Sequence, residues 1–226
     1  FGDSGIYLVG FTEDAPRNIV VPEMINGHPV TRIGDAGIPL VNAQNIESIV
    51  IPKGVWDIGP YAFENCVSLK SVTVLNDTET LVIGFKAFSG CTSLEKIIIN
   101  SNLHYLGDSV FEGTPWLEKV SVDKDIVVQY GALIDIKTVC ADLVLPEGMT
   151  CLSYGPFVLR NLADSIERLE LPSTFHQVSD IRGFDNLTTV VIKEGVKEMG
   201  YDGISFCPKL ERIVIPASIE YVSQKA

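Results

Sequence analysis

The chain has 226 residues, 46% hydrophobic and 20% charged, a balance that excludes intrinsic disorder and supplies a large core. Its net charge of −12 repels phosphate backbones and anionic lipid surfaces, so nucleic acid is excluded as a partner class. The apolar strips run three to five residues, far short of the roughly 18 that span a bilayer, and no membrane insertion is expected.

The first elements are short. Ile6 to Val9, a polar turn, Ile19 to Val21 and the segment INGHPVTRIG (25–34) predict an N-terminal hairpin that closes the first sheet edge. A pattern then recurs. Val21, Ile51, Val74, Ile99, Val122, Leu145, Leu171, Ile192 and Ile215 each close an apolar strip, at intervals of 30, 23, 25, 23, 23, 26, 21 and 23 residues. A period near 23 over this length predicts a solenoid.

Two residues before each marker lies another apolar residue, and five before lie Leu69, Leu94, Leu117 and Leu210, among others. The unit reads L-x-x-I-x-I, whose last three residues have the period of a strand with one face buried. Upstream, Phe63 and Cys66, Phe88 and Cys91, and Phe111 and Thr114 are each three apart. That spacing predicts a short helical turn with both residues on one face, introduced by Gly59, Gly84 and Gly107 as tight-turn residues. The predicted architecture is an α/β solenoid: a right-handed superhelix with one parallel β-sheet, short helical turns and the N-terminal hairpin. One domain is expected over 1–226, with the opening segment at 1–45, stacked repeats at 46–218, and a partial repeat or cap at 219–226.

The motif I-G-x-x-A-F-x-x-C-x-x-L-x-x-I-x-I-P, carried by Ile58 to Val74 and Ile83 to Ile99, resembles the BspA-like leucine-rich repeat family. The segment IVVPEMINGHPVTRIG (19–34) is similar to the opening of many such domains. The resemblance implies a bacterial surface or secreted location, binding of host or neighbouring-cell proteins, and no catalytic residues.

Cys66, Cys91 and Cys207 share one repeat position, where Thr114 substitutes. The position asks for a small, weakly polar filler, and free cysteine packs as one. Cys66 and Cys91 lie on adjacent turns, so a disulfide between them is the alternative. The five cysteines (Cys140 and Cys151 are the others) are widely spaced and odd in number, unlike a disulfide framework.

The apparent catalytic motifs lack partners. GDSG at 2–5 has no preceding His or Asp, and GDSV at 107–110 falls where a turn begins, a place that favours capping residues. His28, His104 and His176 occupy unrelated repeat positions, and Asp123 with Asp125 forms a lone D-x-D. No metal or other cofactor is expected. Asn76-Asp77-Thr78 and Asn186-Leu187-Thr188 fit the glycosylation acceptor pattern.

Outward strand positions follow from the same register. They place Ile98, Ser121, Val144 and their equivalents in a β-branched column, beside Lys96, Lys119 and Arg168. β-propensity and cross-strand charge pairing account for such columns without a ligand. The functional alternative is an apolar and basic strip for a protein partner, with Trp116 at its rim. Trp56 aligns with a mixed, mainly polar set and Trp116 with Ser68, Ser93 and Lys209; both are expected to show surface, with a local packing role as the default alternative for either. The expected function is a noncatalytic, monomeric, extracellular protein-binding module of adhesin type; the alternative is a spacer that presents another domain.

Overall fold

A computed structural model describes residues 5–35, 37–76, 80–122, 124–137, 140–150, 162–179 and 181–224. The chain forms a β-solenoid of about nine turns with parallel sheets. It divides into two compact units, Phe1–Val122 and Asp123–Ala226. Of the residues singled out above, Gly2 to Ser4 of GDSG, Asp77 and Thr78 of one acceptor pattern, Asp123 of the D-x-D and Cys151 lie outside the described residues.

In the first unit the L-x-x-I-x-I strips become a parallel front sheet of Asn18–Val20, Ser48–Ile51, Ser71–Val74 and Lys96–Ile99. Equivalent repeat positions pair strand to strand, Ser48 with Ser71 and Ser71 with Lys96, and Val50 with Thr73 and Thr73 with Ile98. The markers Val21, Ile51, Val74 and Ile99 are buried, as the two-residue period requires. A side sheet runs through Ile6–Leu8, His28–Ile33, Asp57–Ile58, Leu81–Ile83 and Leu103–Leu106, all parallel.

The opening segment is more regular than expected. Ile6–Leu8 and Asn18–Val20 are the first parallel strands of the two sheets. The hairpin is confined to Met24–Ile25 against His28–Ile33, where Asn26 and Gly27 both take positive φ, the conformation that a two-residue hairpin turn demands.

The A-F-x-x-C segments are not helical. Tyr61, Lys86 and Ser109, just before each A-F or V-F pair, have φ of 60°, 53° and 51°, which a right-handed helix does not tolerate. Local turns bond Glu64 N–H to the Tyr61 carbonyl and Cys66 N–H to the Phe63 carbonyl. Alternate donors reach the next turn: Tyr61, Phe63 and Asn65 donate to the carbonyls of Phe85, Ala87 and Ser89. Lys86, Phe88 and Gly90 repeat this towards Asp108, Val110 and Glu112. Backbone groups that a helix satisfies internally are satisfied here between turns. The glycines also serve another purpose. A Cβ on Gly84 falls 2.5 Å from Pro60 N, and one on Gly107 falls 2.4 Å from Phe85 N, so they permit close approach of adjacent turns.

Stacking generates the core. The rings of Phe63 and Phe88 lie 5.2 Å apart and nearly parallel, and those of Phe88 and Phe111 lie 5.9 Å apart. The next strip departs from the pattern: Pro115–Val120 is an α-helix, not the lead-in to a strand ending at Val122. Thr114 caps it by accepting a hydrogen bond from Leu117 N–H, and Pro115 starts it with φ already suited to a helix. Trp116 takes the inward place and is 5% exposed; Leu117 is only half-buried, and Val122 is 62% exposed. Among the described residues the front sheet of the first unit therefore stops at Lys96–Ile99, and the parallel strands fall into several sheets rather than the one expected.

The second unit opens with an antiparallel pair, Ile126–Gln129 and Ala132–Ile136. Its parallel front sheet is Asp142–Val144, Arg168–Leu171, Thr189–Ile192 and Arg212–Val214. Gln177–Val178, Glu198–Met199 and Tyr221–Val222 form its side sheet, and Ile181–Arg182 pairs with Ile204–Ser205. Leu145, Leu169, Leu171, Val190 and Ile192 are buried between the turns.

Candidate protein-binding face

The expected strip divides among four environments. Lys96 and Ile98 point outward from the last front strand of the first unit, and Ile98 is 37% exposed. Trp116 does not stand at a rim. Its ring packs 4.6 Å from Phe111, tilted by 58°, inside the core. Lys119 and Ser121 are not strand residues: Lys119 is exposed on the helix, and Ser121 ends that helix and is buried. Val144 and Arg168 lie on the front sheet of the second unit.

On the first unit's front sheet, Val20, Val50, Thr73 and Ile98 form one column, and Asn18, Ser48, Ser71 and Lys96 the column beside it. Charge is concentrated along one flank, where Glu47 accepts from Arg17 at 2.8 Å and from Lys70 at 2.7 Å. The hydrogen bond from Lys70, then that from Arg17, holds the Glu47 carboxyl below its ordinary range. Lys96 is exposed and, among the described residues, makes no ion pair.

The second unit's front face is more heavily charged. Arg168 pairs with Asp142 at 2.6 Å and with Glu170, while Lys193 lies 3.3 Å from both Glu170 and Glu147. Hydrogen bonding to Glu170, then to Asp142, pushes the Arg168 pKa up. Val144 remains 45% exposed at the edge of this network.

One arrangement was missed at the level of sequence. The Arg32 guanidinium lies 4.6 Å from the Tyr7 ring and 5.4 Å from the Trp56 ring, within cation–π range. Its Nε donates to the buried Asp57 carboxylate at 2.7 Å. Tyr7, Arg32 and Asp57 are spaced 25 residues apart, since 32 − 7 and 57 − 32 both give 25. That spacing carried the signal, because it makes them neighbours in a side sheet. The rings already embrace a paired cation, so this ladder is part of the scaffold.

Cys66 and Cys91 are free, 2% and 0% exposed, and burial pushes both thiols up to about 12. The disulfide alternative is not realised. Cys91 Sγ donates to the Phe63 carbonyl at 3.0 Å; Thr114 Oγ1, at the same repeat position, donates to the Phe111 carbonyl at 2.7 Å. Cys207 is half-buried and Cys140 exposed, so the filler role is complete only for Cys66 and Cys91. Asn76 is also buried, with Nδ2 donating to the Val55 carbonyl at 2.8 Å, which removes it as an accessible acceptor for glycosylation. Ser109 is an exposed αL turn residue, as its place in the repeat dictates. Among the described residues, no three His, Cys, Asp or Glu side chains gather where a metal ion could sit, and no helix is long and apolar enough to cross a membrane.

Stacked apolar-x-apolar strands with a Leu five residues upstream and a ladder of turns define a leucine-rich repeat protein. The chain belongs to the BspA type leucine rich repeat region, whose sequence pattern matches residues 40–133 and 140–226 in six copies. It is similar to a leucine-rich repeat protein from Bacteroides ovatus at 22% identity over 98% of this chain and 52% of that one, with a TM-score of 0.43. A leucine-rich repeat protein of T. pallidum is 22% identical over 92% of this chain and 83% of that one, with a TM-score of 0.41. A leucine rich cell surface protein from Faecalibacterium prausnitzii is 17% identical over 100% of this chain and 88% of that one, with a TM-score of 0.35. The chain spans about half the length of the Bacteroides ovatus protein. No curated protein sequence matches the chain.

Proposed function

We propose that this chain is a noncatalytic, extracellular, monomeric protein-binding module of a bacterial surface protein, with its contact face on the front sheet of the first unit. Membership of the BspA type family supports the surface assignment. The observation that carries the binding assignment is the outward column of Val20, Val50, Thr73 and Ile98, exposed at Val20 and Ile98 and half-buried between them, bordered by the exposed Lys96. Branched apolar side chains held on rigid strands lose little conformational freedom when covered. An exposed cation in a molecule of charge −12 steers an acidic segment of a partner towards that column.

Capture on an array of matrix glycoproteins tests this. Wild-type chain is expected to bind at least one member, and the variant Thr73→Lys with Ile98→Glu, shown by circular dichroism to be folded, is expected not to. Equal capture by both removes the face from consideration. The ion-pair network Asp142–Arg168–Glu170–Lys193 favours a second reading for the second unit, a spacer whose outward charges bind one another. Capture of no array member supports that reading for the whole chain.

A further inference from the structure

Asn26 is the only asparagine in the chain that a glycine follows. The pair forms the tip of the hairpin between Met24–Ile25 and His28–Ile33, with φ of 52° at Asn26 and 82° at Gly27, and both residues are exposed. A Cβ placed on Gly27 meets nothing within 4 Å. The fold therefore leaves the Asn26 side-chain amide next to a backbone nitrogen that carries no steric cover.

Other asparagines show what is different here. Asn42, at φ 58°, donates through Nδ2 to the Phe11 carbonyl at 2.9 Å, and the N–H that follows it, on Ala43, donates to the Leu40 carbonyl. Asn65, at φ 57°, precedes Cys66, whose N–H donates to the Phe63 carbonyl. The side-chain amides of Asn76 and Asn186 donate to the Val55 and Asp164 carbonyls. Among the described residues, none bonds the Asn26 side chain or the Gly27 N–H. The hairpin behind the tip is also thinly held. Its ladder is Ile25 against His28 and Met24 against Pro29, and Pro29 has no N–H to give. Beyond it, Val30 N–H donates to the Glu23 carbonyl at 2.9 Å. A hairpin with so few bonds opens locally at small cost, and opening lets the Gly27 nitrogen swing onto the Asn26 side chain.

We propose that Asn26–Gly27 is a self-modification site, at which the chain converts Asn26 to isoaspartate and aspartate without an enzyme. Hydroxide takes the Gly27 N–H proton, and that nitrogen attacks Asn26 Cγ to form a new C–N bond. The Cγ–Nδ2 bond breaks, and Nδ2 leaves as ammonia with a proton from water. A second water then opens the cyclic imide. Cleavage of the new bond gives aspartate; cleavage of the original peptide bond gives isoaspartate, with the main chain rerouted through Cγ. Nothing is oxidised or reduced. Either product adds a negative charge to a chain already at −12. Isoaspartate also lengthens the main chain by one carbon, so the two-residue turn no longer matches its strands and the hairpin opens.

The test ages the full chain in mildly alkaline buffer, digests it with trypsin and weighs the peptide of residues 18–32. Conversion is expected to add about 1 Da, the exchange of an amide nitrogen for oxygen, at residue 26, and to make the peptide a substrate for isoaspartyl methyltransferase. Asn26→Gly, which suits a turn of positive φ, is expected to abolish both signals. In the fraction that carries isoaspartate, the Val30 amide is expected to exchange about tenfold faster than in fresh chain. A peptide that stays unmodified while urea-unfolded chain converts overturns the proposal, because the fold then blocks the attack. A mass gain placed on Asn18 overturns the site, and unchanged Val30 exchange overturns the opening of the hairpin.

Discussion

The Trp116 ring closes against Phe111 at 4.6 Å and terminates a column that begins with Phe63 and Phe88. Trp116 is 5% exposed, and its backbone N–H is bonded to the Leu94 carbonyl at 2.8 Å. Trp116→Ala is therefore expected to cost ~3–5 kcal/mol in chemical denaturation, the range for a buried aromatic truncation. A loss below ~1 kcal/mol, typical of surface sites, contradicts the packing role.

Phe88 sits in the middle of the same column, with stacked neighbours on both sides. Phe88→Ala is expected to cost a further ~3–5 kcal/mol class of penalty and to speed amide exchange in the turns containing Phe63 and Phe111, since repeat stability passes through neighbour interfaces. Exchange that rises only in residue 88's own turn contradicts that coupling.

The strand half of each repeat was readable because a two-residue period leaves no choice of face: Ile51, Val74, Leu171 and Ile192 are all buried as their positions require. The turn half misled because three-residue spacing is shared by helices and by successive tight turns. Only the backbone, with Tyr61, Lys86 and Ser109 at positive φ, separates the two. The strip 117–122 failed for a different reason. Its apolar spacing matches its neighbours, but the Thr114-Pro115 start diverts it into a helix. Lys96 and Ile98 point outward as the strand register requires, whereas Trp116, Lys119 and Ser121 belong to the strip that became the helix and its cap.

Gly107 allows its turn to lie against Phe85 with no room for a side chain. Gly107→Ala is expected to destabilise the chain by ~1–3 kcal/mol through forced separation of turns, the scale of overpacking. Because strain is relieved by moving whole turns apart, amides of Lys86 and Phe88, which donate to Asp108 and Val110, should exchange faster. A neutral substitution contradicts the close approach.

The thiols supply a pH test. Cys66 and Cys91 ordinarily ionise near 9.0 but are held to about 12 by burial in the folded chain. Between those values the unfolded chain releases protons that the folded chain keeps. Their contribution to stability is complete below pH 9 and is lost as pH rises towards 12. The double variant Cys66→Ala, Cys91→Ala is expected to lose less stability over that interval than wild type, measured by urea midpoints. Identical slopes contradict the burial. A thiol reagent at neutral pH should label the exposed Cys140 in the folded chain, and Cys66 and Cys91 only on unfolding.

The most direct measurement of the binding face titrates the glycoprotein captured by wild-type chain with two folded variants, Ile98→Glu and Lys119→Glu. Ile98 is the exposed end of the outward front column, whereas Lys119 lies on the helix Pro115–Val120. A front-sheet contact predicts that Ile98→Glu weakens binding at least about tenfold, or ~1.4 kcal/mol, while Lys119→Glu changes it less than about twofold, as expected outside an interface core. Undiminished binding by Ile98→Glu, or a loss confined to Lys119→Glu, contradicts it.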